Sequence, residues 1–121
     1  MNLREKGNKG ESLAARYLRS LGYEIIDSQF RARSGEVDLI VTKDNTLVFV
    51  EVKFFDFLPL ASLENSINCR KIKRIINTAR SYLFLFPVFR DHFIRFDVIF
   101  VSRTGEAIEH LPNAFTESGF S

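Results

Sequence analysis

Near the start of the sequence, apolar positions recur at helical spacing. Leu13, Ala14, Tyr17, Leu18 and Leu21 mark one face of a helix over residues 6–21, and Gly22 stands where a left-handed cap closes such a helix. From Tyr23 to Arg33 the segment YEIIDSQFRAR is rich in β-formers and reads as a strand, closed by the turn Ser34-Gly35. The next two segments, EVDLIVTK and TLVFVEVK, flank Asp44-Asn45 and read as a β-hairpin. Both strands are mostly Val, Ile, Leu and Phe, as expected for a sheet buried on both faces.

Phe54 to Leu60 reads as an aromatic-rich loop closed by Pro59. A long helix is expected from Ser62 to Leu85, carrying Leu63, Ile67, Ile72, Ile75, Ile76, Ala79 and Leu83, and Pro87 ends it. The strand FIRFDVIFVS follows, then the turn Thr104-Gly105 and the short extended piece EAIEHL. The order αβββαβ(β) predicts an α/β or α+β sandwich with helices packed on a mixed sheet. No repeat, linker or low-complexity tract divides the chain. At 121 residues with 45% hydrophobic content, residues 1–121 read as one domain with a single core.

Charge changes this picture little. The 17 Lys and Arg against 15 Asp and Glu leave a net charge of +2, so any basic face must come from placement rather than excess. A single cysteine, Cys69, forms no internal disulfide. No apolar run of about 18 residues and no N-terminal signal pattern is seen, so the expectation is a cytoplasmic protein with no membrane partner. Cys69 lies beside Arg70 and Lys71, but with no evident His partner it reads as an ordinary helix residue rather than a nucleophile.

The informative positions are the polar ones inside the hairpin. Asp38 and Glu51 interrupt strands otherwise written for burial, where an unpaired carboxylate is costly. With Asp44 and Asn45 at the loop centre and a symmetric ladder, Lys43 faces Thr46, Ile40 faces Phe49, and Asp38 faces Glu51, about 5 Å apart at Cβ. Lys53 shares the face of Glu51, and Glu36 stands across from it. Like charges placed opposite each other make sense if a divalent cation with a preference for oxygen ligands sits between them. The alternative is an exposed edge strand whose charges form weak surface pairs. A bulge in the hairpin would shift the register by one residue. Glu11 lies on the helical face of Ala14, Ala15 and Leu18 and is a candidate to complete the set; it is equally explained as an acidic residue favouring a helix N-terminus.

These residues carry a resemblance. Gly35-Glu36-Val37-Asp38-Leu39-Ile40, followed by Phe49-Val50-Glu51-Val52-Lys53, resembles the core motif of the restriction-endonuclease-like superfamily, an aspartate followed by Glu-x-Lys across a hairpin. More narrowly, the chain is similar to the YraN-like family of small bacterial proteins, predicted nucleases related in fold to archaeal Holliday-junction resolvases. Lys9-Gly10-Glu11, Ala14 to Leu18, Gly22-Tyr23, Phe30-Arg31, Lys71, Arg95 to Val98 and Asn113-Ala114-Phe115 extend the likeness over nearly the whole sequence. Phe55 departs from the family pattern, which usually has arginine there.

The resemblance implies a restriction-endonuclease-like αβββαβ core and a metal-dependent endonuclease acting on nucleic acid, DNA in the first place and branched or junction DNA more narrowly. Asp38 and Glu51, with the backbone carbonyl of Val52, would hold Mg²⁺ or Mn²⁺; Glu11 would assist; Lys53 would orient or deprotonate the attacking water. Lys71, with Arg70 and Arg74 on the second helix, and Arg31 and Arg33 before the hairpin are candidate phosphate contacts, although a basic run is also how a solvated helix face looks. A noncatalytic nucleic-acid-binding module with the same fold is the alternative. A third reading is a protein-interaction domain: the run Tyr82 to Phe89, in a chain with 13 Phe, suits either a homodimer face or, more simply, core packing.

Overall fold

The computed structural model describes residues 3–55, 67–116 and 119–120, with side chains from Gly10 to Thr116 within those spans. Helix α1 spans Leu3–Ser20, starting earlier than its apolar spacing indicates. Gly22, at φ +94°, reverses the chain. The Tyr23 N–H donates to the Leu18 carbonyl and the Gly22 N–H to the Arg19 carbonyl, each at 3.0 Å, which satisfies two carbonyls that the helix end leaves open.

Three strands follow as expected: β1 (Glu24–Ala32), β2 (Gly35–Lys43) and β3 (Thr46–Phe55). Asp44 and Asn45 both adopt left-handed φ, 49° and 64°, the conformation that lets a two-residue loop follow the strand twist. β3 runs through Phe54 and Phe55, which pair with Val101 and Ser102; these two residues were expected in a loop. The rest of that expected loop, with Pro59, lies outside the described residues, as do Ser62 and Leu63 of the helix expected after it.

Helix α2 spans Cys69–Leu85, so its start is later than the Ser62 expected from periodicity. Ile67 belongs to the apolar pattern and is fully buried, but it precedes the helix. The helix begins where Asn68 caps it, its Oδ1 accepting the Lys71 N–H at 2.9 Å. Leu85 is its last residue, and a 3₁₀ turn over Pro87–Phe89 leads to β4 (Phe93–Ser102). β5 (Ile108–Leu111) and a small ladder of β6 (Phe115–Thr116) with β7 (Gly119–Phe120) complete the described chain; the small ladder had no sequence signal.

The main sheet has the order β1-β2-β3-β4-β5. All neighbours are antiparallel except β3 and β4, which α2 connects in parallel, so the sheet is mixed. Each face carries its own core. Leu47 and Phe49 pack with Ile72, Ile75, Ile76 and Tyr82 of α2, while Val48 and Val50 pack with Ala14, Ala15 and Leu18 of α1. Alternate side chains of β3 thus enter opposite cores, which is why its sequence is continuously apolar. A fully buried side chain such as Leu18 or Ile40 contributes about 1.5–3 kcal/mol by leaving water.

One polar cluster sits inside this framework. Asp97 on β4 is fully buried. Its carboxylate accepts from Arg95 Nε and Nη2 at 2.8 and 2.9 Å, from the Asn113 N–H at 3.0 Å, and meets His110 Nε2 at 2.7 Å. The Tyr17 hydroxyl meets His110 Nδ1 at 3.1 Å, so α1, β4 and β5 are joined through one buried acid. Burial alone would raise the Asp97 pKa; the bonds from His110, Arg95 and Asn113 overcome it and hold the carboxyl below its ordinary value.

Candidate active site

The odd-numbered residues of β3 face α2, and Glu51 follows Leu47 and Phe49 on that side. It is only 8% exposed. Lys71, in the first turn of α2, places Nζ 3.6 Å from Glu51 Oε1. Asp38, Glu36, Glu51, Lys71 and Arg74 line one cavity of about 380 Å³ between the start of β2 and α2.

The hairpin register is the expected one from Lys43–Thr46 to Leu39–Val50. It stops there. Asp38 and Glu51 are not Cα partners, because Asp38 Oδ2 accepts the Val52 N–H at 2.8 Å in place of a ladder bond. The side chain thereby holds the two strands together where their backbones cease to pair. Glu36 does not stand across from Lys53; its partner is Arg31 on β1, with Arg31 Nε 3.4 Å from Glu36 Oε2.

Burial pushes the Glu51 carboxyl up from 4.5 to about 8, and neighbouring Asp38 adds to the rise; Lys71 and Lys53 pull against it. The Lys53 ammonium is held below its ordinary 10.5, first by burial and then by Lys71, with Glu51 and Asp38 opposing. Two acids and two lysines therefore share a partly dry site in which Glu51 and Lys53 are both shifted toward their neutral forms, an arrangement common where chemistry is performed.

Glu11 is placed differently. It is half-buried and lines a separate cleft of about 550 Å³ with Ser12, Arg16, Arg19 and Gln29. Burial raises its pKa, the Gln29 bond lowers it, and Asp38 and Glu36 raise it, so its carboxylate lies within the field of the hairpin acids without sharing their cavity. Gln29 Nε2 donates to Glu11 Oε2 at 2.5 Å. Gln29 itself has φ +51° in mid-strand, at the point between the Ser28–Leu39 and Phe30–Val37 pairs where Asp38 lies across the ladder. This conformation is costly for a residue with a Cβ. Sequence reading missed Gln29, because a glutamine among β-formers carries no sign of left-handed backbone. It also passed over Arg16 and Arg19.

Of the other basic candidates, Arg74 lines the main cavity, while Arg33 and Arg70 are exposed. Among the described residues, no group of three or more His, Cys, Asp or Glu side chains is positioned to hold a metal ion. The donors at hand are the two carboxylates of Asp38 and Glu51 and nearby backbone oxygen. All are hard oxygen ligands, which fits a Mg²⁺- or Mn²⁺-type ion completed by water or substrate.

Comparison with known proteins agrees with the resemblance seen in the sequence. The model of a family described as "Uncharacterised protein family UPF0102" matches residues 10–101. A UPF0102 protein of Syntrophomonas wolfei is 43% identical over 114 residues, covering 93% of this chain and 98% of that protein. A UPF0102 protein of Persephonella marina is 39% identical over 110 residues, covering 91% and 92%. One from Treponema pallidum is 40% identical over 116 residues, covering 92% of each.

Proposed function

The chain belongs to the UPF0102 family, and from its acid–lysine cluster around the buried Glu51 we propose that it is a metal-dependent endonuclease hydrolysing phosphodiester bonds of nucleic acid, DNA in the first place. The observation that carries this reading is the convergence of Asp38, Glu51, Lys53 and Lys71 where the β2–β3 ladder ends.

Asp38 uses Oδ2 to hold the Val52 N–H, which fixes the acid relative to Glu51 and to the Val52 backbone. Asp38, Glu51 and the Val52 carbonyl are the groups that would hold a divalent cation. Such an ion, when bound, neutralises charge on the phosphate and acidifies a water molecule. Lys53, with its lowered pKa, is suited to orient that water and exchange a proton with it. Lys71 and Arg74 on the cavity wall supply positive charge for the phosphate backbone.

A second reading is a nucleic-acid-binding module without turnover. It draws support from the Lys71–Glu51 pair, in which a lysine partly balances the buried acid. Incubation with single-stranded, duplex and four-way-junction substrates, with and without Mg²⁺ or Mn²⁺, separates the two. Metal-dependent cleavage that Asp38→Asn abolishes is expected. Tight binding with no cleavage on any substrate favours the module.

A further inference from the structure

Where α2 ends and β4 begins, large apolar side chains stand in water. Phe84, Val88 and Phe93 are 79%, 74% and 74% exposed, and Leu85, Phe86 and Ile94 are 58%, 42% and 38% exposed. The 3₁₀ turn folds back onto the helix end, with the rings of Phe86 and Phe89 lying 4.6 and 6.1 Å from that of Tyr82. Together the six side chains expose roughly 600 Å² of apolar surface, at the upper end of what a monomer leaves in one patch and near the roughly 800 Å² per partner of a stable interface.

The same region has an open strand edge. β3 covers β4 along its whole inner side, whereas β5 covers only Val98 to Val101. The Phe93 N–H donates inward to the Asn45 carbonyl at 3.0 Å, so strand alternation turns both the N–H and the C=O of Ile94 outward. The next outward carbonyl, that of Phe96, is taken by the Ala114 N–H at 2.7 Å. Among the described residues, neither the N–H nor the C=O of Ile94 has a backbone partner on that side, and Phe93 beside it is exposed.

We propose that this face is the interface of a two-fold homodimer in which β4 pairs antiparallel with β4 of a second copy about Ile94. A two-fold interface requires a surface complementary to itself. Ile94 meets that requirement because one residue presents both halves of a hydrogen-bonded pair. The apolar side chains then lose the contact with water that otherwise makes such an edge prone to association. Lys71 and the cavity lie at the opposite end of α2, so the two cavities would face outward, and the dimer stands whether or not the nuclease reading does.

Light scattering and sedimentation equilibrium on the full chain, up to about 100 μM, test this. The expected result is a species of twice the 14.0 kDa chain mass. Phe93→Glu should weaken association at least about tenfold, the worth of one well-buried anchor. Ile94→Pro should do the same by removing an outward N–H that no ladder bond among the described residues uses. A wild type that remains a monomer, or a dimer that survives both Phe93→Glu and Ile94→Pro, overturns the proposal. Should Ile94→Pro fail to fold, Phe93→Glu decides, since that side chain is 74% exposed and supports no core.

Discussion

At the scale of single residues, Glu51 is the position where stability and chemistry oppose each other. Its carboxyl is raised from 4.5 to about 8, so between those pH values the folded state binds more protons than the unfolded state. Stability must then fall as pH rises through that window. Glu51→Gln removes the titration and the buried charge. It should raise the apo melting temperature at pH 8 by about 2–5 °C and flatten the decline between pH 5 and 8, measured by thermal denaturation across pH. Equal slopes in wild type and variant would mean Glu51 is not perturbed. Asp38, Glu51 and Lys53 were legible in the sequence because charge inside an apolar strand has few explanations. The pairing of Glu51 with Lys71, which stood as a candidate phosphate contact, was not, since strand and helix register, absent from the sequence, decides which helix residue reaches it.

At the scale of elements, the hairpin was legible down to individual pairs, because a two-residue loop fixes the register of everything that follows. It failed at Asp38, whose side chain displaced the ladder bond, and beyond it at Glu36, which pairs with Arg31 and not with Lys53. Asn45, at φ +64°, should tolerate Gly, whereas Asn45→Ala should cost about 1 kcal/mol in denaturant unfolding, the penalty of placing a Cβ in left-handed backbone. The start of α2 was misread because Ile67 continues the helical apolar pattern from outside the helix, buried in the same core. On β4 the Asp97 cluster governs acid stability. With its pKa held below the ordinary 3.8, Asp97 lends stability above that value, and the contribution is lost as pH falls through the folded pKa. Asp97→Ala leaves Arg95 and His110 without their acid and should cost about 3–5 kcal/mol at neutral pH. Its acid-unfolding limb, followed by circular dichroism, should be flatter than that of the wild type.

At the scale of the whole molecule, the αβββαβ order and the mixed sheet followed from periodicity alone, since strands apolar on both faces require a layer on each side. The β6–β7 ladder did not, because two-residue strands carry no period. Nucleic-acid affinity should fall steeply with salt, and replacing Lys71 and Arg74 should flatten the logarithmic slope by about one to two units; an unchanged slope would locate the phosphate contacts elsewhere. The nuclease reading itself is tested most directly by single-turnover cleavage in Lys53→Met, with divalent-ion affinity measured on the same preparation. An ammonium has no lone pair for a metal, so the variant should keep the ion affinity of the wild type while cleaving about a hundredfold more slowly or worse. Unchanged cleavage per folded molecule, with only a lower melting temperature, would reduce Lys53 to a structural counter-charge for Glu51 and contradict the account.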